Sequence, residues 1–467
     1  MHRNHLYFAI VFVVMLILAS CKKEDALYEG AAKLRFSTDT VMFDTIFTGF
    51  GSTTQQLKVY NPYDQKLKIT SIDLAKGNNS SYRLNINGYQ ANSIKDVELP
   101  AGDSLFIFVE VTVEPGRSEM VEQDSILFHI NGNTQDIDLV AFGQDVHLII
   151  ADTITQHTQW LNDKPYLVYY YLMVDSLINF RIDTGVQVHF HKNGIFIVKR
   201  GLQVNGNVDE PVVFQGDRLE DIYDDIPGQW DRIVFFEGST NNYMKNAIVK
   251  NGFYGVQLGA LNGGPPPGLL LENTVIQHMS YSGIYSLGGQ VAAVNTVVAD
   301  CGYYALALLI GGYYEFYQCT VVNQWYYSTR NTASVVLSNN LYAQETYYTG
   351  DLVKAEFRNC ILSGSLENEL NFSNDESTAF NYHFDHCIIK NKDVIDTNVT
   401  AGFGSILWNG DPDFVDYDES DYQLGEESEA IDAGDYSLID SLPLLQLDLN
   451  GEMRDTFPDL GAYEKTE

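Results

Sequence analysis

Lys354, Glu356, Arg358, His383 and Asp385, with Arg330 upstream of them, carry the side chains that acid–base chemistry on a sugar chain uses. A β-eliminating lyase needs a Lys or Arg base close to carboxylates that hold Ca²⁺. The spacing of Arg330, Lys354, Glu356 and Arg358 permits that set without specifying it. His383 and Asp385 form a pair suited to proton transfer, with no nucleophile visible beside them. A glycosidase needs two carboxylates a few ångströms apart on neighbouring turns of the chain. Asp300 directly follows an apolar motif but has no obvious stacked partner in the sequence. Asp448, Asn450 and Asp459 offer the oxygen ligands of a Ca²⁺ site, and the same residue types also form turns. His189 and His191 lie two apart on an expected strand and share a face, which is a thin metal signature by itself. Asp221, Asp224, Asp225 and Asp231 surround Trp230 in a loop that suits a calcium or sugar site, or a solvated acidic surface.

Aromatic residues are the other chemistry the chain advertises. It has 30 Tyr, and many fall in doublets such as Tyr303-Tyr304, Tyr313-Tyr314, Tyr326-Tyr327 and Tyr347-Tyr348. In a strand a doublet sends one ring to each face. Tyr304, Tyr314, Trp325, Tyr327 and Tyr348 are therefore candidates for stacking a sugar ring, and tyrosine's plain β-propensity is the competing reason for their presence.

The elements that must position these side chains repeat. A polar residue, a small or polar residue and two apolar ones recur at Asn246, Asn273, Asn295, Cys319, Asn339, Asn359 and His386, spaced 27, 22, 24, 20, 20 and 27 residues apart. Units of this length cannot bury an apolar face alone and must stack. A second motif follows at Gly255, Gly283 and Tyr304, giving at least two strands per turn and no helical period. The reading is an all-β chain: an N-terminal immunoglobulin-like β-sandwich followed by a right-handed parallel β-helix. In that frame Val297, Val321 and Ile361 face one way and Val298, Val322 and Leu362 the other. Cys360 and Cys387 share a motif position, as a disulfide or as buried thiols. No CxxC pair speaks for zinc.

Residues 1–20 read as a signal peptide, with Arg3 before the apolar run from Leu6 to Ala19, too short for an ordinary membrane span. Leu18-Ala19-Ser20-Cys21 resembles a bacterial lipobox, which implies lipidation at Cys21. Lys23, Glu24 and Asp25 follow and resemble the surface-export signal of Bacteroidota-type lipoproteins, within a tether over 21–32. The resemblance implies an outer-membrane, cell-surface lipoprotein held by its lipid.

Residues 33–148 contain about seven short alternating strands between turn clusters such as Asn61-Pro62, Asn87-Gly88 and Asn131-Gly132. The strand ending Val59-Tyr60-Asn61-Pro62, the turn Pro100-Ala101-Gly102-Asp103 and the closing Val140-Ala141-Phe142-Gly143 resemble immunoglobulin-like domains of the ASPM/SPD-2/Hydin type, which implies a spacer or interaction module. The β-helix is expected over 149–410. Over 411–467, Asp411-Pro412-Asp413-Phe414, Ser428-Glu429-Ala430-Ile431-Asp432 and Asp448-Leu449-Asn450-Gly451 resemble the terminus of pectate-lyase-like and choice-of-anchor β-helix proteins, here expected as a final coil and cap.

The chain has 28 Lys+Arg against 62 Asp+Glu, a net charge of −34. That charge argues against nucleic-acid partners and, more weakly, against polyanionic substrates. The sequence thus favours a noncatalytic surface lipoprotein that binds a glycan or a surface protein. The alternative is a polysaccharide lyase or glycoside hydrolase, with Ca²⁺ as the one cofactor its residues suggest.

Overall fold

The computed structural model describes residues 27–28, 30–116, 120–261, 263–393 and 402–465. Cys21, Lys23, Glu24 and Asp25 lie outside the described residues. The chain divides into two compact units, residues 1–145 and 146–467.

The first unit is a β-sandwich of two five-stranded sheets. Its strands alternate as the pleat requires: in Ser104–Val111, Leu105, Ile107, Val109 and Val111 are buried between more open neighbours. Ten strands replace the expected seven, because short edge pieces such as Arg35–Phe36 and Tyr89–Gln90 also pair. Thr40–Phe47 runs parallel to Asn133–Gln144, while the other pairings of that sheet are antiparallel. The Asn-Pro turn has a mechanical reason. Asn61 is buried, and its amide donates to the carbonyls of Gln65, Leu99 and Pro100 at 2.8, 3.1 and 2.8 Å, stapling two turns together.

The second unit is a parallel β-helix, a continuous array of 25 strands. Parallel pairing begins at His147, whose strand His147–Ile154 pairs with Tyr166–Val174. Each regular coil contributes three strands, in keeping with the expected minimum of two, so three parallel sheets enclose one core. Sheet A holds the recurring motif in Ala247–Lys250, Val275–Met279, Val297–Cys301 and Thr320–Asn323. Sheet B holds Tyr254–Leu258, Ser282–Leu287, Tyr304–Leu309 and Val335–Ser338. Sheet C holds Asn242–Lys245, Gly268–Glu272, Gln290–Val294 and Gly312–Tyr317. The turn from C to A is made by residues with positive φ: Asn246, Asn273, Asn295, Gln318, Asn359 and His386. Asn recurs there because it enters the left-handed region at less cost than most side chains.

The register corrects the motif in two places. Val297 stacks on Thr320 and Val298 on Val321; Thr320 stacks on Ile361 and Val321 on Leu362. The fourth unit therefore starts at Gln318, not Cys319. The core row is Val298, Val321 and Leu362. The second correction concerns Asn339. Strand Asn340–Ala343 pairs antiparallel with Thr346–Thr349 in a separate two-stranded hairpin, so it adds no coil.

From Val297 onward both faces of sheet A are buried. Val297, Ala299, Val322, Ile361 and Ile388 on its outer side pack against Phe414, Tyr422, Leu424, Ala430, Leu449, Leu460 and Ala462. The C-terminal segment is thus a strap laid back along the side of the solenoid, where the sequence reading expected a cap. The turn residues hold it. Asn295 Nδ2 donates to Leu447 O at 2.8 Å, Gln318 Nε2 to Asp459 O at 3.2 Å, and Asn359 Nδ2 to Asp435 O at 3.2 Å. The described cysteines, Cys301, Cys319, Cys360 and Cys387, are free thiols and buried. Cys319 joins Cys360 and Cys387 in one inward row, and burial followed by the neighbouring thiols pushes the Cys360 pKa up.

Candidate functional site

Two outer faces of the β-helix collect functional side chains. The first lies on sheet B. Gly255, Gly283 and Ala305 stack at the corner after sheet A, where a Cβ on Gly283 would run into Val298 Cγ1 and one on Gly255 into Ile276 Cγ2. That tight corner turns the residues before it outward. Phe253, Tyr281 and Tyr303 form a row across three coils, with ring centroids 5.6 and 4.7 Å apart and planes 26° and 24° apart. Phe253 is 40% exposed and Tyr303 50%, so the row is open at both ends. Beside it stand Tyr254, Tyr285 and Tyr304. Tyr254 and Tyr285 are 5.1 Å apart and tilted, and the Arg232 guanidinium lies 4.1 Å over the Tyr254 ring. Inside the row each ring face is covered by the next ring. The strip therefore offers outward edges and hydroxyls along its length, and free ring faces at its ends. Burial, then neighbouring tyrosines, pushes the Tyr285 hydroxyl up to about 12 and raises that of Tyr281. Both stay neutral hydrogen-bonding groups at neutral pH.

Of the five tyrosines and tryptophans predicted to stack a ligand, Tyr304 lies in this strip. Trp325 and Tyr327 lie in the adjoining loop, their rings 5.1 Å apart, and Tyr326 stacks on Tyr327 at 4.4 Å. Tyr327 donates to Asp225 O at 2.9 Å, joining this loop to the acidic one. Tyr348 sits apart on the hairpin, lining a cleft with Leu261, Leu287 and Ile310. Tyr314 points into the core, fully buried, and its hydroxyl is 2.8 Å from Gly311 O and 2.9 Å from Ser286 Oγ. No ligand reaches it. Of the strip's other members, Tyr303 was noted only as half of a doublet, and Phe253, Tyr254, Tyr281 and Tyr285 went unnamed in the sequence reading. The signal that marks the row is an aromatic residue seven or eight positions after each of Asn246, Asn273 and Asn295.

The second face lies on sheet C. Tyr313 stacks on Lys354, Glu315 on Glu356 and Tyr317 on Arg358; Glu356 stacks on His383 and Arg358 on Asp385. Lys354, Glu356, Arg358, His383 and Asp385 are thereby brought onto one surface. Lys354 Nζ is 2.7 Å from Glu315 Oε1 and 2.7 Å from Glu356 Oε2. Tyr317 donates to Glu356 Oε2 at 2.5 Å. Burial works to lower the Lys354 pKa, and the two carboxylates reverse that and hold it well above the lysine range. For Glu356, burial works upward, and the hydrogen bonds from Lys354 and Tyr317 win and lower it. Two carboxylates on adjacent coils thus share one ammonium, at most twice its contact distance apart. Glu315 was missed because its partner across the coil is 41 residues away, beyond an inserted hairpin. Arg330 is elsewhere. It is buried in a bidentate pair with Glu369, at 2.7 and 2.5 Å, and closed to substrate.

The predicted calcium carboxylates are spent on backbone amides. Asp448 Oδ1 accepts from the N–H groups of Asn450 and Glu452, and Oδ2 from that of Glu464. Asp459 accepts from Asp432 and Lys465. The Asn450 side chain donates to Gln423. Asp385, His386 and Asp435 have metal-ligand spacing, but the Arg358 guanidinium already lies 2.6 Å from Asp435. In the acidic loop, Asp224 pairs with Lys250 at 2.7 Å and Asp231 with Arg232 at 2.7 Å. His189 Nδ1 meets Gly216 O at 2.9 Å and His191 Nδ1 meets Asp217 at 2.6 Å, so each imidazole has a protein partner.

Among the described residues, no helix is long and apolar enough to cross a membrane. Compared with protein-family models and with curated proteins, the chain matches none. What stands is the architecture: an all-β chain of a sandwich and a long parallel β-helix.

Proposed function

We propose that this is a lipid-anchored, cell-surface protein whose β-helix binds a neutral glycan along the aromatic strip of sheet B, without catalysis. The observation that carries the reading is the row Phe253, Tyr281 and Tyr303 with open ring faces at both ends, flanked by Arg232 and by the Trp325–Tyr327 loop. Apolar ring surface and neutral hydroxyls on one rigid face match the mixed character of a sugar. The net charge of −34 favours an uncharged chain over a polyanionic one. The lipobox at Cys21 and the acidic residues after Lys23 support anchoring and display at the outer membrane. Affinity electrophoresis through gels cast with neutral polysaccharides tests the reading. Retardation by one glycan class with no product release supports it, and no retardation by any of them counts against it.

The Glu315–Glu356 pair favours a second reading, a glycoside hydrolase, because retaining enzymes hold two carboxyls about 5–5.5 Å apart. The shared ammonium weighs against it, since against the upward pull of burial the hydrogen bonds from Lys354 and Tyr317 lower the Glu356 pKa and leave it unsuited to the acid's role. New reducing ends that disappear in Glu356→Gln would establish this reading over the first.

A further inference from the structure

A third cluster lies where the strap crosses the corner between sheets A and B. His278 occupies the turn row of Asn251, His278 and Asp300, all with positive φ. Its imidazole is 1% exposed. Nε2 lies 3.1 Å from Ser420 Oγ. Nδ1 makes no aligned hydrogen bond and lies 3.2 Å from Asp225 Oδ1. Ser420 sits in the turn between strands Phe414–Asp416 and Asp421–Leu424, at φ +55°, a conformation that a non-glycine residue adopts only when its surroundings hold it there. It is partly open to solvent, and Asp225 is exposed. Below it, Ser420 Oγ donates to Asp300 Oδ2 at 2.9 Å, and both oxygens of that carboxylate accept from the Tyr422 hydroxyl at 2.7 Å.

We propose that Ser420 is an activated nucleophile, with His278 as its general base and Asp225 orienting the imidazole, and that this site hydrolyses small O-acyl esters. The carboxylate beside Nδ1 favours a proton on that nitrogen and leaves Nε2, 3.1 Å away, to accept the Ser420 proton once the hydroxyl turns to it from Asp300. Burial lowers the His278 pKa against the opposing pull of Asp300 and Asp225, which keeps the base neutral at pH 7. In the first step Oγ bonds to the ester carbonyl carbon, and its proton passes to Nε2. The bond to the alcohol oxygen breaks and that oxygen takes the proton. Water then gives a proton to Nε2 and attacks the acyl carbon, the bond to Oγ breaks and Oγ takes that proton back, so ester and water become acid and alcohol with serine and imidazole restored. This activity stands independently of glycan binding on sheet B.

The test treats the full chain with a fluorophosphonate, which forms an Oγ–P bond with loss of fluoride, and maps the adduct by mass spectrometry. p-Nitrophenyl acetate hydrolysis is followed in parallel. The expected result is an adduct on Ser420 that is absent in Ser420→Gly and slowed at least 100-fold in His278→Asn, with ester turnover falling in both. Both variants should fold: glycine accepts the positive φ, and Asn already occupies the equivalent turn at Asn251. No adduct on Ser420 while an added serine esterase is labelled, or hydrolysis unchanged in Ser420→Gly, overturns the proposal.

Discussion

Tyr422 places its hydroxyl 2.7 Å from both carboxylate oxygens of Asp300, although the two residues lie 122 apart in the chain. Asp300 is the acid whose partner the sequence did not reveal. That partner is on the strap, not on an adjacent coil. The bond is fully buried, and it fixes where the C-terminal segment crosses sheet A.

Tyr422→Phe removes the hydroxyl but keeps the ring in its apolar seat. A buried hydrogen bond to a charged group contributes about 1.5–3 kcal/mol, so the variant should lose about that much in urea unfolding. Limited proteolysis should then cut the strap before the coils. Loss of stability with no change in strap cleavage would separate Tyr422 from strap docking.

Aspartate substitutions test the register. Val298→Asp and Val321→Asp place a charge in the coil interior and should cost several kcal/mol each. Val297→Asp and Val322→Asp face the strap, which can lift away and let water reach the charge. Their cost is capped by the strap's own docking energy and should be smaller. The ranking, read by thermal unfolding, must place Val298 with Val321. A ranking that places Val297 with Val321 would return the register to the unit starting at Cys319.

The Lys354 cluster predicts an acid limb of stability. The folded Glu356 pKa lies below the ordinary value, so its contribution is present above that value and lost as pH falls through the folded one. Lys354 has the opposite sign: its contribution is present below the ordinary lysine value of 10.5 and lost only in strong base. Glu356→Gln should therefore flatten the stability change between pH 7 and pH 3. The difference should be about 1 kcal/mol or less, because solvent screens a partly exposed pair. An unchanged slope in urea unfolding would remove Glu356 as its source.

The proposed anchoring rests on Cys21. Cys21→Ser should end fatty-acid labelling and move the protein from the membrane to the soluble fraction. Continued labelling of the variant would contradict the lipobox reading.

The repeat was legible because Asn at a left-handed turn followed by β-branched residues is written nearly letter for letter at Asn246, Asn273 and Asn295. It became illegible at Gln318, where a longer amide takes the same turn, and at Asn339, where Asn serves a hairpin instead. Local residue types cannot distinguish those uses; only cross-coil pairing does. The sandwich was legible from its period-two alternation and turn residues. Of the sites, the sheet C cluster was half visible: Lys354, Glu356 and Arg358 alternate on one strand, whereas Glu315 joins them only by stacking. Tyr314 was misplaced as a ligand contact because a doublet does not announce which ring faces inward. The strap's docking was hidden, since its buried residues Phe414, Tyr422 and Leu424 read equally well as one more coil.

The most direct test of glycan binding on sheet B is calorimetric titration of the best-retarding neutral oligosaccharide into the wild type and into a Phe253→Ala/Tyr303→Ala variant of equal thermal stability. Losing the two open ring faces should cost about 1.4 kcal/mol or more, an affinity at least about tenfold weaker. Equal affinity in the two proteins would contradict the account.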